Sequence, residues 1–218
     1  MIHPEDFIKT RIPIKDKIIL MQCVNEGHKV IRNMRKDDLA LGLPMVNNMK
    51  SYFLSIGVHF VIQRNIESGI LPFTCGWKNF AKPTGKYLEI IGHGSKFSIN
   101  SVANCNKPPK KAIFREQKLV GNKTLFNYQE NCFADIIYEP YPHFILTFSS
   151  SGYSLNDLRI GLPANYKRSQ WEWVSNNWLH EPHLVTGTSA EIENTSYNPE
   201  DMNLLKETLK SSVINHEK

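Results

Sequence analysis

Long apolar runs are absent from this sequence of 218 residues, and so is the basic start of a secretion signal. The best apolar stretch, Ile18-Ile19-Leu20-Met21, ends at Gln22 and is far shorter than the roughly 20 residues that cross a bilayer. The N-terminus, from Met1 to Phe7, has no basic region followed by an apolar one. We therefore expect no membrane span, no secretion by that route and a cytoplasmic location.

Cysteine is scarce and widely spaced, at Cys23, Cys75, Cys105 and Cys132. A disulfide framework is typical of small secreted domains, and paired CxxC spacing is typical of structural zinc sites. The sequence has neither pattern. We expect four reduced thiols that pack as small hydrophobic side chains.

Repeats and low-complexity segments are missing as well, whereas the overall composition is ordinary. Hydrophobic residues make up 41% of the chain and charged residues 22%, which is typical of a folded protein and excludes a disordered one. The length is sufficient for a large core. We expect a single domain that spans residues 1–218.

The first 69 residues have the apolar spacing of helices. Apolar residues recur with a helical period from Ile14 to Lys36, although Gly27 leaves open whether this is one helix or two. A second helix begins at Pro44 and ends near Ser68-Gly69. Strand is the alternative for its last part, because apolar residues alternate at Val58, Phe60 and Ile62.

The middle of the chain, residues 86–162, has the pattern of a sheet of about six strands. Short apolar segments are separated by Gly, Pro and Asn turns, at residues 87–91, 97–102, 112–115, 133–138, 143–148 and 155–160. The spacings leave no room for crossover helices. We therefore expect a mainly antiparallel sheet.

Helices return in residues 168–213, around a polar loop at 186–197. The segment 170–179 predicts a helix in which Trp173 faces away from a stripe formed by Trp171, Val174 and Trp178. Trp173 is then either buried against a second element or exposed as an anchor for a protein partner. A last helix begins at Asn198-Pro199-Glu200-Asp201, where an Asn cap, a proline and two acids follow one another. The order of helices, strands and helices predicts an α+β fold.

Positive charge is concentrated between residues 76 and 125. Ten basic and two acidic residues give this segment +8, so the rest of the chain sums to −3, because the net charge is +5. Aromatic residues are interleaved with the bases, at Trp77, Phe80, Tyr87, Phe97 and Phe114.

This pattern predicts a surface that binds nucleic acid or another polyanion. Basic side chains neutralise phosphates, and aromatic rings stack on unpaired bases. The candidate ligand-binding residues are Lys78, Lys82, Lys86, His93, Lys96, Lys107, Lys110, Lys111, Arg115, Lys118 and Trp77. The alternative is a solvated lysine rim that protects strand edges. Lysine outnumbers arginine nine to one here, whereas specific phosphate recognition favours the arginine fork.

Two short motifs in this segment suggest chemistry. In Gly92-His93-Gly94-Ser95-Lys96, backbone amides could converge on an anion beside a titratable His93, but the same residues suit a tight hairpin turn. Glu116-Gln117-Lys118 has the carboxylate-x-lysine spacing of metal-dependent nucleases, which also need a second acid. Glu89 and Asp135 are the candidates for that acid. Mg²⁺ is expected as a cofactor only under this alternative.

Near the C-terminus, His180-Glu181-Pro182-His183 has the residue types of a metal site. Pro182 ends a helix, so the two imidazoles need not share a face. We predict no metal site and keep His180 and His183 as the alternative.

The sequence favours a non-catalytic protein that binds nucleic acid or another polyanion through residues 76–125. A metal-dependent hydrolase is the second hypothesis, with Glu89, Glu116, Lys118 and His93 as its candidate catalytic residues. The third is a protein–protein module, such as a homodimer, that uses Trp173 or a sheet edge.

Overall fold

A computed structural model describes residues 3–80, 85–126, 141–165, 170–181 and 197–215 of the chain. The helices are α1 (Pro4–Arg11), α2 (Ile14–Asp37), α3 (Leu39–Gly42), α4 (Lys50–Glu67), α5 (Ile113–Phe126) and α6 (Pro199–Asn215), with 3-10 turns at Pro44–Met49 and Trp178–His180. The strands are β1 (Thr74–Asn79), β2 (Lys86–Gly92), β3 (Ser95–Ser101), β4 (His143–Ser151), β5 (Ser154–Asn165) and β6 (Gln170–Val174). Helices at both ends of the chain therefore enclose a central sheet, which is the predicted α+β fold.

The two long helices, α2 and α4, cross at a pair of glycines. A Cβ atom added at Gly27 would lie 2.7 Å from the Cα atom of Val58, and one added at Gly57 would lie 2.5 Å from Cγ1 of Ile31. The missing side chains thus allow the two backbones to approach closely. This contact also explains why α2 continues through Gly27 as one helix, which the sequence left open.

The helix that was predicted to begin at Pro44 begins later in the structure, but it ends where predicted. Pro44 begins a 3-10 turn, and α4 itself begins at Lys50. It runs as helix through Val58, Phe60 and Ile62, so the strand alternative for these residues is wrong. Gly69, with φ at +75°, takes the left-handed conformation that follows many helix ends.

The strands form one sheet in the order β1-β2-β3-β4-β5-β6. All neighbours are antiparallel except β3 and β4, which are parallel. The prediction of a mainly antiparallel sheet is confirmed. The expectation that no crossover helix intervenes is wrong, because α5 lies between β3 and β4.

The predicted strand at residues 112–115 is the start of α5. The backbone N–H groups of Arg115 and Glu116 both donate to the carbonyl of Ala112, and buried residues then recur every four positions, at Phe114, Lys118 and Asn122. A run of three apolar residues does not distinguish a strand from a helix. The helical period was also hidden, because two of the three buried residues of α5, Lys118 and Asn122, are polar.

The predicted helix at residues 170–179 is instead β6 followed by a 3-10 turn. Trp171 packs against Gly161 of β5, and its indole N–H donates to the carbonyl of Cys105 at 3.1 Å. Trp173 pairs with Leu162 and packs partly against the core. Pairing with β5 overrides the helical spacing of the tryptophans, because alternating aromatic residues also suit a strand.

Other sequence-based assignments have mixed outcomes. β1 was not predicted, since a glycine and three polar residues hide its pattern. The predicted cap of the last helix is present, where the N–H of Glu200 donates to Oδ1 of Asn198 at 3.2 Å. The predicted strand at 133–138 and all but the last residue of the polar loop at 186–197 lie outside the described residues.

The two faces of the sheet differ in polarity. Leu88, Ile90, Phe97, Ile99, Phe144, Leu146 and Phe148 point to the face that packs against α2 and α4, and all are buried. Alternate residues point to the other face, which is polar and partly covered by α5; they include Glu89, Ser98, His143 and Thr147. The part of the basic segment that follows β3 therefore folds onto the polar face.

No helix in the described part of the chain is both long enough and apolar enough to cross a membrane.

We predict that Gly27→Ala lowers the free energy of unfolding by about 1–3 kcal/mol, because the methyl group would collide with the α4 backbone. Gly42→Ala is the matched control, since its Cβ atom would meet only the carbonyl oxygen of Arg35, at 3.5 Å. Urea unfolding followed by circular dichroism measures both variants. Equal stabilities would show that the helices do not cross at this glycine pair.

Candidate nucleic-acid interface

Five exposed lysines form a surface that we call the basic rim: Lys78, Lys86, Lys107, Lys110 and Lys111. The first two lie on the β1–β2 hairpin, and the other three lie in the loop before α5. This loop crosses the end of the sheet, from Cys105, which contacts Asp157 of β5, to Phe114, which contacts β2. The basic rim therefore extends over several strands.

An aromatic cluster fixes this loop to the hairpin. Phe114 stacks on Tyr87 with ring centroids 4.1 Å apart, and Phe80 lies 5.7 Å from Tyr87 and 5.3 Å from Phe114. Because these rings pack on one another, they position the lysines around them and are not free platforms for bases. Phe97 is in the core.

Trp77 lies on the opposite face of the sheet from α5. It pairs with Leu88, its ring lies edge-on to His59, and its indole N–H donates to Oε1 of Gln63 at 3.1 Å. It is 47% exposed. By strand alternation Trp77 and Lys86 therefore lie on the face opposite α5, whereas Lys78 lies on the α5 face, so the sequence grouped residues that belong to two faces at one end of the sheet.

Beneath the basic rim, α5 is attached to the sheet by a buried ion pair. Nζ of Lys118 lies 2.5 Å from Oε2 of Glu89, and their side chains are 8% and 6% exposed. Glu116 instead pairs with Lys111 at the surface, at 3.0 Å. Residues two apart on a helix point about 200° away from each other, so Glu116 and Lys118 cannot share a site. Of the candidate catalytic residues, only Glu89 and Lys118 meet.

The same polar face holds a buried histidine that the sequence analysis did not select. The side-chain amide of Asn122 donates to the carbonyl of His143 at 2.8 Å and accepts from its N–H at 2.7 Å. Burial, and then the positive charges of Lys118, Arg115 and Lys96, hold the pKa of His143 well below its ordinary value. Its Nε2 atom is buried without a hydrogen-bond partner among the described residues. A lone histidine at the start of a strand gives no sequence signal for this environment.

Arg115 braces the loop of the basic rim. Its guanidinium donates to the carbonyl of Lys110 and to Oδ1 of Asn100 on β3, and it lies over the ring of Phe114. Lys96 is half-buried on the same face of the sheet. Arg115 therefore adds positive charge beside the rim from a less exposed position, whereas Lys96 lies at the other end of β3, next to the β2–β3 turn.

The Gly92–Lys96 motif forms the hairpin turn that the sequence left as the alternative. His93 and Gly94 have φ values of 51° and 68°, which is the type I′ conformation of a two-residue hairpin loop. Nε2 of His93 lies 2.6 Å from Oδ2 of Asp16 on α2. His93 is thus held by α2 and is separate from the basic rim.

The remaining candidates do not assemble a metal centre in the described part of the chain. There, no group of three or more His, Cys, Asp and Glu side chains could hold an ion. His180 is exposed in a 3-10 turn, whereas Lys82, Asp135 and His183 lie outside the described residues.

The three described cysteines, Cys23, Cys75 and Cys105, are free thiols, and Cys132 is not described. Burial raises the pKa of each of the three thiols, to about 11 for Cys105. Near neutral pH they are protonated, which makes them poor nucleophiles.

We predict that Lys118→Met lowers the free energy of unfolding by about 3–5 kcal/mol, because it leaves a buried carboxylate without its counter-charge. Lys111→Met is the control and should cost about 0–1 kcal/mol, because its ion pair with Glu116 is exposed. Adding Glu89→Gln to Lys118→Met should restore part of the loss. Urea unfolding measures all three, and equal effects of the two lysine variants would contradict the buried pair.

The contacts described above are the basis for assigning a function. No protein-family model matches this sequence, and no match was found among curated proteins or solved structures. The exposed lysines of the basic rim and the buried Glu89–Lys118 pair are the two features with chemical consequences for a partner or a substrate.

Proposed function

We propose that this protein binds nucleic acid, or a polyanion of similar charge density, through the basic rim. The supporting observation is that five exposed lysines lie along one end of the sheet. The two acids of segment 76–125 are both used within the segment, where Glu89 pairs with Lys118 and Glu116 pairs with Lys111. The formal charge of the segment, ten bases and two acids, is +8.

The chemistry of the basic rim favours contacts with the phosphate backbone. An exposed ammonium group is a mobile point charge that meets phosphates without the fixed geometry of a guanidinium. Phe80, Tyr87 and Phe114 pack on one another, so they are not available to stack on bases. We therefore expect binding with little sequence preference and a strong dependence on salt.

The test is fluorescence anisotropy with labelled single-stranded and double-stranded oligonucleotides over a salt series. The variant Lys107→Ala/Lys110→Ala/Lys111→Ala should bind more weakly at every salt concentration. Each lost phosphate contact lowers the slope of log K against log[salt] by about 0.9 for a duplex, so three lost contacts lower it by about 2.7.

The matched control is Lys15→Ala/Arg32→Ala/Lys36→Ala, which removes the same charge from exposed positions of α2. This variant should retain nearly all of the affinity. An equal loss in both variants would mean that net charge, and not the basic rim, determines binding. No binding by the unmodified protein at low salt would overturn the proposal.

A metal-dependent nuclease is the second candidate, and one observation favours it: Glu89 and Lys118 are in contact on the polar face. Plasmid incubated with Mg²⁺ or Mn²⁺ should then be cleaved by the unmodified protein and by Glu116→Gln, but not by Glu89→Gln. Glu116 serves as the control because it points away from this pair. An uncleaved plasmid, or cleavage by a folded Glu89→Gln protein, would exclude this site.

Two further expectations from the sequence remain proposals. A cytoplasmic location agrees with the free thiols of Cys23, Cys75 and Cys105. A protein partner or homodimer would use a sheet edge, at β1 or β6, or the partly buried Trp173.

A further inference from the structure

A cavity of about 330 Å³ lies at the edge of the sheet that is formed by β6, and none of its lining residues belongs to the basic rim. It is bounded by α1, the start of α2, β6 and the 3-10 turn at Trp178–His180. Its size is at the lower end of the range for small-molecule sites. The cavity is thus large enough for a compact organic molecule.

One lysine in this cavity has an unusual environment. Lys17 is only 8% exposed, and its ammonium group makes no hydrogen bond or ion pair with any described residue. Lys9, nearer the mouth, pairs with Glu5 at 2.6 Å. Burial lowers the pKa of Lys17, and the negative charge of Glu181 partly opposes this effect. Because Lys17 lines the cavity and is largely shielded from bulk water, an anion in the cavity would be attracted to its ammonium group more strongly than to an exposed lysine.

The rest of the cavity lining contains both apolar and charged side chains, and this combination restricts which ligands can bind. Trp173, Trp178 and Ile8 provide an apolar wall, and the latter two are almost completely buried. Two lysines and two glutamates line the cavity, so its formal charge is zero. Because the cavity has no excess positive charge, it suits a single carboxylate, which can contact Lys17 while its apolar body lies against the tryptophans, better than a multiply charged phosphate.

We propose that this cavity binds a small monocarboxylate with a planar apolar body, whose carboxylate contacts the ammonium of Lys17. This site is independent of the proposed polyanion surface, because it shares no residue with the basic rim.

Isothermal titration calorimetry with 2-naphthoate and its uncharged amide, 2-naphthamide, tests this proposal. The acid should bind the unmodified protein saturably and about 10-fold or more tightly than the amide, because only the acid makes a charge-assisted contact. Lys17→Met should remove this difference. Lys15→Met is the matched control, since Lys15 is exposed on the same helix and does not line the cavity.

Two further measurements separate binding from folding and from the basic rim. Burial lowers the pKa of Lys17, so folding disfavours its charged form, and the urea midpoint of Lys17→Met should not fall below that of the unmodified protein. Lys17→Arg keeps the charge and should retain preference for the acid. The proposal is wrong if the unmodified protein binds neither compound, if the acid and the amide bind equally, or if the Lys107/Lys110/Lys111 variant, and not Lys17→Met, loses the acid.

Discussion

Strands β3 and β4 run parallel, so the chain that leaves Ser101 must return across the sheet before His143 can begin the next strand. This constraint places α5 and the loop before it against the polar face. All other strand pairs are antiparallel and need no such crossing. The lysines of the loop are therefore brought to one end of the sheet as a consequence of the parallel register, and the stack of Phe114 on Tyr87 holds them beside the β1–β2 hairpin.

Two kinds of packing hold the layers together, and they have different roles. The apolar face of the sheet packs on α2 and α4, and this burial supplies most of the hydrophobic stabilisation. On the polar face, α5 is held by the Glu89–Lys118 pair and by the two hydrogen bonds between Asn122 and His143. Buried polar contacts add little net free energy, but they are expensive to break. They therefore fix the position of α5, and with it the orientation of the basic rim.

Local patterns in the sequence were sufficient to predict the helices whose buried residues recur with the helical period. The helical spacing of α2 and α4 and the Asn198 cap identified elements that the structure contains. The sequence-based assignments of α5 and β6 were wrong, because the secondary structure of these segments depends on contacts with distant parts of the chain. β6 pairs with β5, and α5 buries polar side chains against the sheet. The concentration of basic residues in 76–125 is visible in the sequence. The sequence did not show that this stretch contains α5, on which Glu116 and Lys118 point away from each other. Lys17 gave no signal, because a lysine in an amphipathic helix is normally exposed.

Exposure determines what each group of lysines is able to bind. An exposed ammonium in water contributes little by itself and is screened by salt, so the basic rim gains affinity only when one ligand meets several lysines at once. That requirement favours a long polyanion. Lys17 lies in a less polar surrounding, where a single charge–charge contact is stronger, but the cavity admits only a small molecule. Since the lysines and glutamates that line the cavity balance in formal charge, a ligand with several negative charges gains little there and would gain more from several exposed lysines. If both proposals hold, one residue type binds two kinds of anion, because its surroundings differ between the basic rim and the cavity.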